Sequence, residues 1–342
     1  MKFFARDVLL CGAWVGAGAL AVALTTGAAA AQDKTYVMKI TTPTLNAAPD
    51  RFAKEFGDAV AKDSGGRIKA ELYPASQLGT IPRQIEGTQF GAIQCAVIPP
   101  EFFVGVDPRF QVLTAPGLVS SDEQAQRVTA DPAVRKLILG LGAEKGLHGV
   151  GLFAAEPSEV VSKPEIRHLD DFKGKKLRIF ASDFQSVAFS RLGATPVAMS
   201  PSDVLPAIQQ GTLDGAVAGV QLLAPMHFYD AAKYIVMTGH AEIFIVAEIS
   251  KKWYDSLPPD LQQVIDRDGE SESKAIDPEA LAITQAARKT WTGAGGELVY
   301  LPEDEHAKML DMLASVGEDV ATKNPQLKAA YDIVAAAAKR AK

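Results

Sequence analysis

The stretch DFKGKKLRIFASDF, residues 171–184, decides the fold class because it runs from a basic lead-in through a short strand into a helix. Leu177 and Ile179 share one face of the predicted strand, and Arg178 lies on the other face. The Ala-Ser-Asp-Phe sequence that follows predicts the start of a helix. A strand that leads directly into a helix is typical of α/β proteins. The stretch also raises a question of function, because Arg178 places a permanent charge near the carboxyl end of an apolar strand.

The same alternation of strands and helices occurs in two runs that join near residue 150. Strands are predicted at residues 35–42, 67–73, 92–98, 149–153, 159–161, 175–180 and 213–217. Helices are predicted at residues 50–63, 82–90, 184–192, 200–210, 259–290, 302–322 and 325–341. The pattern indicates an α/β fold with a largely parallel sheet. Because no linker separates the two runs, more than one strand is expected to cross between two lobes that enclose a cleft.

Residues 1–31 have the features of a cleaved secretory signal peptide. Lys2 and Arg6 precede an apolar run from Val8 to Leu24, and three alanines at 29–31 supply a small-residue cleavage site. A retained transmembrane anchor is the alternative, but the run is short and ends in small residues. The sequence therefore predicts an exported protein.

Charge and cysteine content restrict the partners of the exported chain. The full chain has a formal net charge of −6, and removal of the signal peptide, whose net charge is +1, leaves −7. This acidity argues against nucleic acids and anionic membrane surfaces as partners. Cys95 would be the single remaining cysteine, in an apolar predicted strand, so we expect a buried and inert thiol. A mature chain of about 310 residues favours two domains.

Signatures of catalytic or metal chemistry are absent from the sequence. None of the five histidines forms a metal-binding pair at a spacing of four residues. There is no Gly-x-Ser-x-Gly motif and no phosphate-binding loop, and Gly149-Val150-Gly151 lacks the third glycine of a dinucleotide site. We therefore predict no enzyme activity, no metal and no cofactor.

Several stretches, in order along nearly the whole mature chain, are similar to the motifs of one known family. YPASQLG at residues 73–79 resembles a "YPxxQLG" turn. Residues 170–179 resemble a "DLKGLKIR" segment, and residues 192–215 resemble "LGAxPVxM…ALQxGxVDG". In combination, rather than singly, these matches make the chain resemble the solute-binding proteins of tripartite ATP-independent periplasmic (TRAP) transporters, the DctP family.

The resemblance implies an α/β, two-lobed periplasmic-binding-protein fold, type II-like, with hinge strands and a long interdomain helix. Lobe I would comprise residues 32–155 plus about 244–283, and lobe II residues 156–243 plus about 284–342 with the C-terminal helices. It further implies a periplasmic receptor that captures a small carboxylate in the cleft by closure of the lobes. The receptor would deliver this ligand to the small and large TRAP membrane subunits.

In this family the arginine of the corresponding strand binds the ligand's carboxylate, and the resemblance assigns that role to Arg178. The planar guanidinium matches a carboxylate in bidentate geometry. A buried guanidinium without a partner is costly, and a ligand carboxylate would supply the partner. From the residues alone, the alternative is that Arg178 is one more solvated charge after Lys173, Lys175 and Lys176.

Other aligned positions depart from the sialic-acid-binding members of the family. Ser158 and Phe102 occupy positions where those members carry arginines, Ala218 an asparagine position and Pro201 a phenylalanine position. These differences predict fewer polar contacts and a smaller or more apolar organic acid than a sugar acid.

Four further residues are candidate ligand contacts: Glu101, Phe103, Glu156 and Ser182. Phe102 and Phe103 either pack on the ligand or lie in the core below the cleft. If Glu101 or Glu156 faces the cleft, the ligand is cationic or zwitterionic, with Arg178 holding its carboxylate. If both point to solvent, neither affects specificity.

Two other functions fit a protein of this shape. A binding protein that presents its ligand to a membrane signalling receptor cannot be separated from a transport receptor by sequence. An extracytoplasmic enzyme is the third hypothesis, and the missing nucleophile, base and metal signatures argue against it.

Overall fold

The computed structural model describes residues 34–342, and the predicted signal peptide at residues 1–31 lies outside the described residues. Within residues 34–342 the chain forms one nine-stranded sheet packed against helices. The strands are β1 (Tyr36–Thr41), β2 (Ile68–Tyr73), β3 (Cys95–Ile98), β4 (Leu147–Ser162), β5 (Lys176–Ile179), β6 (Thr195–Ala198), β7 (Gly215–Ala218), β8 (Tyr234–Ser250) and β9 (Glu297–Val299).

The helices of the described residues lie between and after these strands. They are α1 (Ala48–Asp63), α2 (Ile81–Phe90), α3 (Asp122–Ala130), α4 (Pro132–Gly140), α5 (Asp183–Arg191), α6 (Pro201–Gln209), α7 (Val220–Leu223), α8 (Lys251–Tyr254), α9 (Pro259–Gly293), α10 (Glu303–Leu313), α11 (Val316–Ala321) and α12 (Pro325–Arg340). Two 3-10 segments, Pro100–Phe103 and Pro108–Thr114, follow β3. In this part of the chain no helix has both the length and the apolarity needed to cross a bilayer.

The sheet has two parallel ends and an antiparallel centre. Its order is β2-β1-β3-β8-β4-β7-β5-β6, with β9 added beside β8. Strand β1 is parallel to β2 and β3 at one end, and β5 is parallel to β6 and β7 at the other. The pairings β3–β8, β8–β4 and β4–β7 are antiparallel. The sheet is therefore mixed, and the prediction of a largely parallel sheet holds only for its two ends.

Strands β4 and β8 connect the two ends of the sheet. They pair from Leu147 opposite Ser250 to Ser162 opposite Tyr234. The register shifts at three points along β4, between residues 149 and 151, 154 and 156, and 158 and 160. Such β-bulges bend and twist a strand pair. The last two bulges flank Pro157, which explains how a proline fits within a central strand.

The long helix α9 packs directly on this pair of strands. A Cβ at Gly269 would lie 2.7 Å from the carbonyl oxygen of Val150, so only glycine permits this approach. One turn later, the Ser273 hydroxyl accepts a hydrogen bond from the Leu152 amide at 3.1 Å. The helix also packs against α1 and α7. Its contacts therefore extend along both halves of the sheet.

Most of the predicted elements are confirmed to within three residues at each end. The strands predicted at 149–153 and 159–161 are one strand, β4, because bulges carry the chain through Pro157 without breaking the pairing. The helix predicted at 302–322 is divided into α10 and α11 at residues 314 and 315. Strands β6, β8 and β9 and helices α3, α4, α7 and α8 were not predicted. As expected, Cys95 is fully buried, and burial raises the pKa of its thiol well above the usual value.

Candidate ligand-binding site

A mostly apolar cavity lies where the two parallel ends of the sheet meet the central strands. It comprises about 460 Å³ of space not filled by protein atoms, counting the part that opens to solvent. The enclosed part of this space is only about 40 Å³, so the walls of the cavity lie close together in this structure. Its lining residues are Pro43, Thr44, Ala47, Pro49, Ile81, Pro99, Phe102, Ala155, Glu156, Phe180, Pro201, Gly219, Leu222, Ile243 and Ile245.

The topology of the sheet explains why the cavity is located there. Pro43, Pro99, Phe180 and Gly219 follow β1, β3, β5 and β7, respectively, within two residues of each strand's end. In open α/β sheets, ligands bind outside the carboxyl ends of parallel strands. Strands β4 and β8 add residues from the antiparallel centre. The cavity is therefore at the position where this architecture places a ligand.

Arg178 lies at the carboxyl end of β5, fully buried beside this cavity. Its Nε donates to the carbonyl of Met199 at 2.8 Å, and its Nη1 donates to the carbonyl of Val217 at 2.9 Å. Its Nη2 has no hydrogen-bond partner among the described residues. Burial lowers the pKa of Arg178 to about 10, so the guanidinium remains charged at neutral pH. The side chain is not a solvated member of the lysine run before it.

Two aromatic rings cover the guanidinium and also line the cavity. The guanidinium carbon lies 4.5 Å from the ring centre of Phe180 and 5.7 Å from that of Phe102. The ring centres are 5.6 Å apart. Cation–π contacts of this kind orient an arginine while leaving its outer nitrogen available. The rings therefore stand between the buried charge and the cavity.

Glu101 is the acidic residue that acts electrostatically on Arg178. It is buried, and its Oε2 lacks a hydrogen-bond partner within residues 34–342. Burial raises the pKa of Glu101 to about 8, against the opposing effects of its own backbone amide and of the Arg178 charge. At neutral pH the carboxyl is thus largely protonated, and it neutralises Arg178 only in part.

Glu156 is the ionisable side chain that lines the cavity. Its Oε2 accepts a hydrogen bond from the Gln221 amide at 2.8 Å. Its carboxyl group lies against Gly219, where a Cβ would stand 1.9 Å from the carboxyl carbon. Burial raises the pKa of Glu156 to about 8. Glycine at position 219 is what allows an acid to occupy this wall of the cavity.

Gln221 fixes the segment that carries Gly219. Its Oε1 accepts a hydrogen bond at 2.7 Å from the amide of Ala48, the first residue of α1. Its Nε2 lies within hydrogen-bond distance of the carbonyls of Ala155 and Ala280 and of the Thr284 hydroxyl. One buried amide therefore joins α1, β4, α7 and α9 behind the cavity.

Comparison with known proteins identifies the family. The model for the bacterial extracellular solute-binding proteins, family 7 (DctP), matches residues 41–324. The chain belongs to this family. The predicted membership of the DctP family of solute-binding proteins is confirmed. Members of the family are periplasmic receptors and not a family of enzymes.

Relatives of this family 7 protein bind several organic acids. It is 26% identical over 318 residues to the C4-dicarboxylate-binding periplasmic protein DctP of Rhodobacter capsulatus, covering 92% of this chain and 94% of that protein. It is 27% identical over 214 residues to the 2,3-diketo-L-gulonate-binding periplasmic protein YiaO of Escherichia coli, covering 62% and 65%. The sugar acid binding protein of Advenella mimigardefordensis, solved with galactonate, has a TM-score of 0.84 at 24% identity, covering 90% and 99%. This structural likeness confirms the two-lobed α/β fold.

The family 7 structure brings some of the predicted site residues together. Phe102, Glu156 and Pro201 line the cavity. Arg178 and Glu101 are both buried and interact electrostatically, and the Arg178 guanidinium lies over the ring of Phe102.

The other predicted residues lie outside the cavity lining. Phe103 is fully buried and packs on Phe110, with ring centres 5.2 Å apart. Ser182 caps α5, accepting from the Gln185 amide at 3.4 Å. Ser158 and Ala218 are buried within β4 and β7. Their predicted contacts with a ligand remain predictions.

Sequence reasoning missed most of the apolar lining. Phe180 was detectable, since it follows Arg178 by two residues and so shares its face of the strand. Leu222, Ile243 and Ile245 carried no signal, because they come from a short helix and from the unpredicted strand β8. Across residues 34–342, no group of three or more His, Cys, Asp or Glu side chains is arranged to hold a metal ion.

Proposed function

We propose that this protein captures a small carboxylate in the cavity, binds the carboxylate group through Arg178, and delivers the ligand to the small and large membrane subunits of a TRAP transporter. The observation that carries this proposal is the unpartnered Nη2 of a fully buried, charged arginine beside an apolar cavity. A buried donor on a charged group is costly unless a partner arrives. A ligand carboxylate is the partner that a guanidinium fits best.

A ligand in the cavity has to pass the rings of Phe102 and Phe180 to reach Arg178. We propose that the two lobes open and close about β4 and β8 and about the middle of α9, with lobe I at residues 32–155 plus about 244–283 and lobe II at 156–243 plus about 284–342. The bulges of β4 near residue 155 fall at this boundary. Because bulged strands bend easily, they are suitable hinges.

One segment of the proposed lobe I is attached to lobe II. The Gln111 Oε1 accepts from the Asp183 amide at 2.7 Å, and the hydroxyls of Thr114 and Ser182 lie 2.7 Å apart. Helix α12 is similarly joined to α3, because its Ala338 carbonyl accepts from Nε2 of Gln124 at 2.8 Å. We therefore propose that residues 108–140 move with lobe II.

The composition of the cavity narrows the class of acid. The relatives' names include a C4-dicarboxylate and sugar acids. Here only Thr44 and Glu156 contribute polar side chains to the lining. A sugar acid would leave several hydroxyl groups without partners, which costs affinity. The cavity therefore favours a compact acid with an apolar body.

Cleavage of residues 1–31 would place the protein in the periplasm.

The test is a thermal-shift screen of purified protein, stripped of co-purified ligand, followed by titration calorimetry on the hits. The panel contains C4-dicarboxylates, branched, cyclic and aromatic monocarboxylates, 2-hydroxy and 2-oxo acids, sugar acids and zwitterions. A ligand at about 100 times its Kd adds about 2.7 kcal/mol of stability. Arg178→Ala is expected to abolish each carboxylate hit, whereas Arg83→Ala, at an exposed position of α2, is expected to retain it.

Two outcomes would contradict the proposal. A carboxylate that binds Arg178→Ala as tightly as the wild type would remove Arg178 from the ligand site. Absence of binding by any carboxylate in the panel would overturn the assignment of a carboxylate ligand.

A further inference from the structure

We propose that the ligand is a small zwitterion, whose carboxylate binds Arg178 and whose single cationic nitrogen lies against Glu156. This inference rests on the proposed function and adds a second specificity-determining residue to it. The chemical class comprises compact monocarboxylates with one protonated, alkylated or ring nitrogen and an otherwise apolar body.

The charges available to a ligand point to this class. Among the fifteen residues that line the cavity, Glu156 is the ionisable one, and the lining contains neither lysine nor arginine. Arg178 is the cation beside it, and Glu101 already interacts electrostatically with that cation. A dicarboxylate would place its second negative charge against the cavity wall, where the ionisable side chain, Glu156, is itself an acid. A cationic nitrogen there meets an opposite charge instead.

The positions of the two charged groups fit one short molecule. Arg178 donates to the carbonyl of Val217, and the Glu156 carboxyl lies against Gly219, two residues further along the same extended segment. Two residues of extended chain span roughly 7 Å. Both groups therefore lie at the same end of β7, at a separation that one short molecule can span.

Glu156 is held in place but keeps acceptor capacity toward the cavity. Its Oε2 accepts from the Gln221 amide. For Oε1 the described part of the chain shows no donor, although a carboxylate oxygen accepts more than one hydrogen bond. The carboxyl cannot withdraw toward Gly219, because that residue's Cα already touches it. Its remaining acceptor sites are therefore available to a ligand.

The aromatic and apolar lining suits the body of such a ligand. The rings of Phe102 and Phe180 are 5.6 Å apart and line the cavity beside Arg178. Leu222, Ile243 and Ile245 complete an apolar wall. Alkyl groups on the nitrogen would be favourably placed against aromatic faces. The lining thus accommodates methyl or ring carbons and offers few partners for hydroxyl groups.

The charged environment of Glu156 determines how binding depends on pH. Glu159 on β4 and Arg288 on α9 act on Glu156 directly. Glu156 also interacts with Glu242 on β8, which Asp122 at the start of α3 affects in turn. Burial holds the pKa of Glu156 near 8 without ligand, and a cation beside it favours the charged form. Affinity for a zwitterion should therefore rise between pH 6 and 8. Affinity for an acid without nitrogen should fall or stay level.

The experiment compares isosteric ligand pairs that differ only in the nitrogen. The pairs are glycine betaine with 3,3-dimethylbutanoate and L-proline with cyclopentanecarboxylate, and succinate represents the dicarboxylates. Titration calorimetry at pH 6, 7 and 8 is performed on wild type, Glu156→Gln and the control Glu159→Gln, whose carboxyl bonds Thr238 outside the cavity lining.

We expect the wild type to bind at least one zwitterion at least tenfold more tightly than its carbon isostere. Glu156→Gln should lose at least tenfold in affinity for that zwitterion and little for the isostere, whereas Glu159→Gln should keep the preference. If carboxylates bind through Arg178 but the isosteres or succinate equal or exceed the zwitterions, the inference is wrong and the proposed function stands. If no carboxylate of any class binds, both fail. Even if Glu156→Gln does not fold, the affinities of the wild type for the zwitterions and for their carbon isosteres decide whether the inference is correct.

Discussion

The carboxyl carbon of Glu156 lies 1.9 Å from the position that a Cβ on residue 219 would occupy. No side chain other than hydrogen fits there, so the acid in the cavity and the glycine at the start of α7 depend on each other. The backbone at Gly219 has φ −93° and ψ 155°, an ordinary extended conformation. Space for Glu156, and not backbone freedom, is therefore what position 219 requires.

Gly219→Ala is expected to destabilise the protein by about 1–3 kcal/mol and to displace the Glu156 carboxyl. The physical cause is overpacking, because the added methyl group would overlap the Glu156 carboxyl. Chemical denaturation measures the loss of stability. Gly140→Ala is the matched control, because a Cβ there meets nothing within 4 Å, and it should be neutral or slightly stabilising. Equal stability of the two variants would show that the contact relaxes without cost.

Gln221→Leu is expected to lower stability by about 3 kcal/mol or more. The change leaves the buried Ala48 amide without its acceptor and the carbonyls of Ala155 and Ala280 without a donor, and each such loss costs about 1–3 kcal/mol. Urea unfolding of the variant gives the value. Gln209→Leu, at an exposed position of α6, should change stability by less than about 0.5 kcal/mol. A small effect at both positions would mean that water replaces the Gln221 contacts.

Glu248→Met is expected to stabilise the protein, and more so at higher pH. The carboxyl of Glu248 is fully buried in β8, and neither of its oxygens bonds another described residue. Burial raises the pKa of Glu248 well above its usual value. The folded state then keeps a proton that the unfolded state releases above about pH 4.5. The contribution of Glu248 to the stability of the protein is therefore fully present below that pH and is lost as the pH rises.

The wild type should therefore lose up to about 1.4 kcal/mol per pH unit relative to Glu248→Met, up to the folded-state pKa. Unfolding curves at pH 5.5, 6.5 and 7.5 measure the difference between the two proteins. The buried His240, whose pKa burial lowers to about 4, affects both proteins alike and cancels. A difference that is constant with pH would show that Glu248 ionises in the folded state at its ordinary pKa.

Cys95 is expected to resist modification by a thiol reagent in the folded protein. Its side chain has no exposed area, and burial raises the pKa of its thiol, so neither access nor thiolate is available. Reaction with a chromogenic disulfide should proceed at the rate of unfolding and become fast in denaturant. A Ser202→Cys variant, exposed on α6, should react immediately in native buffer. Rapid labelling of native Cys95 would reveal local opening of the sheet at β3.

The amino-acid sequence alone determined the local elements and the family. Periodic apolar positions, glycines after helices and prolines at helix starts locate elements such as α1, α2 and α5, because these signals act within a few residues. The order of several motifs predicted a solute receptor. The sequence also singled out Arg178, since a guanidinium in an apolar strand is unusual wherever the strand lies.

The tertiary structure decided how these parts are connected and what the cavity is made of. Strand β8 and the continuity of β4 through Pro157 depend on pairing between residues 72 to 103 positions apart, from Ser162 opposite Tyr234 to Leu147 opposite Ser250. Whether Glu156 faces solvent or a cavity depends on Gly219, which meets it only after β4 and β7 have paired. Local sequence cannot encode this, because the charge and burial of a side chain are set by neighbours brought together through folding.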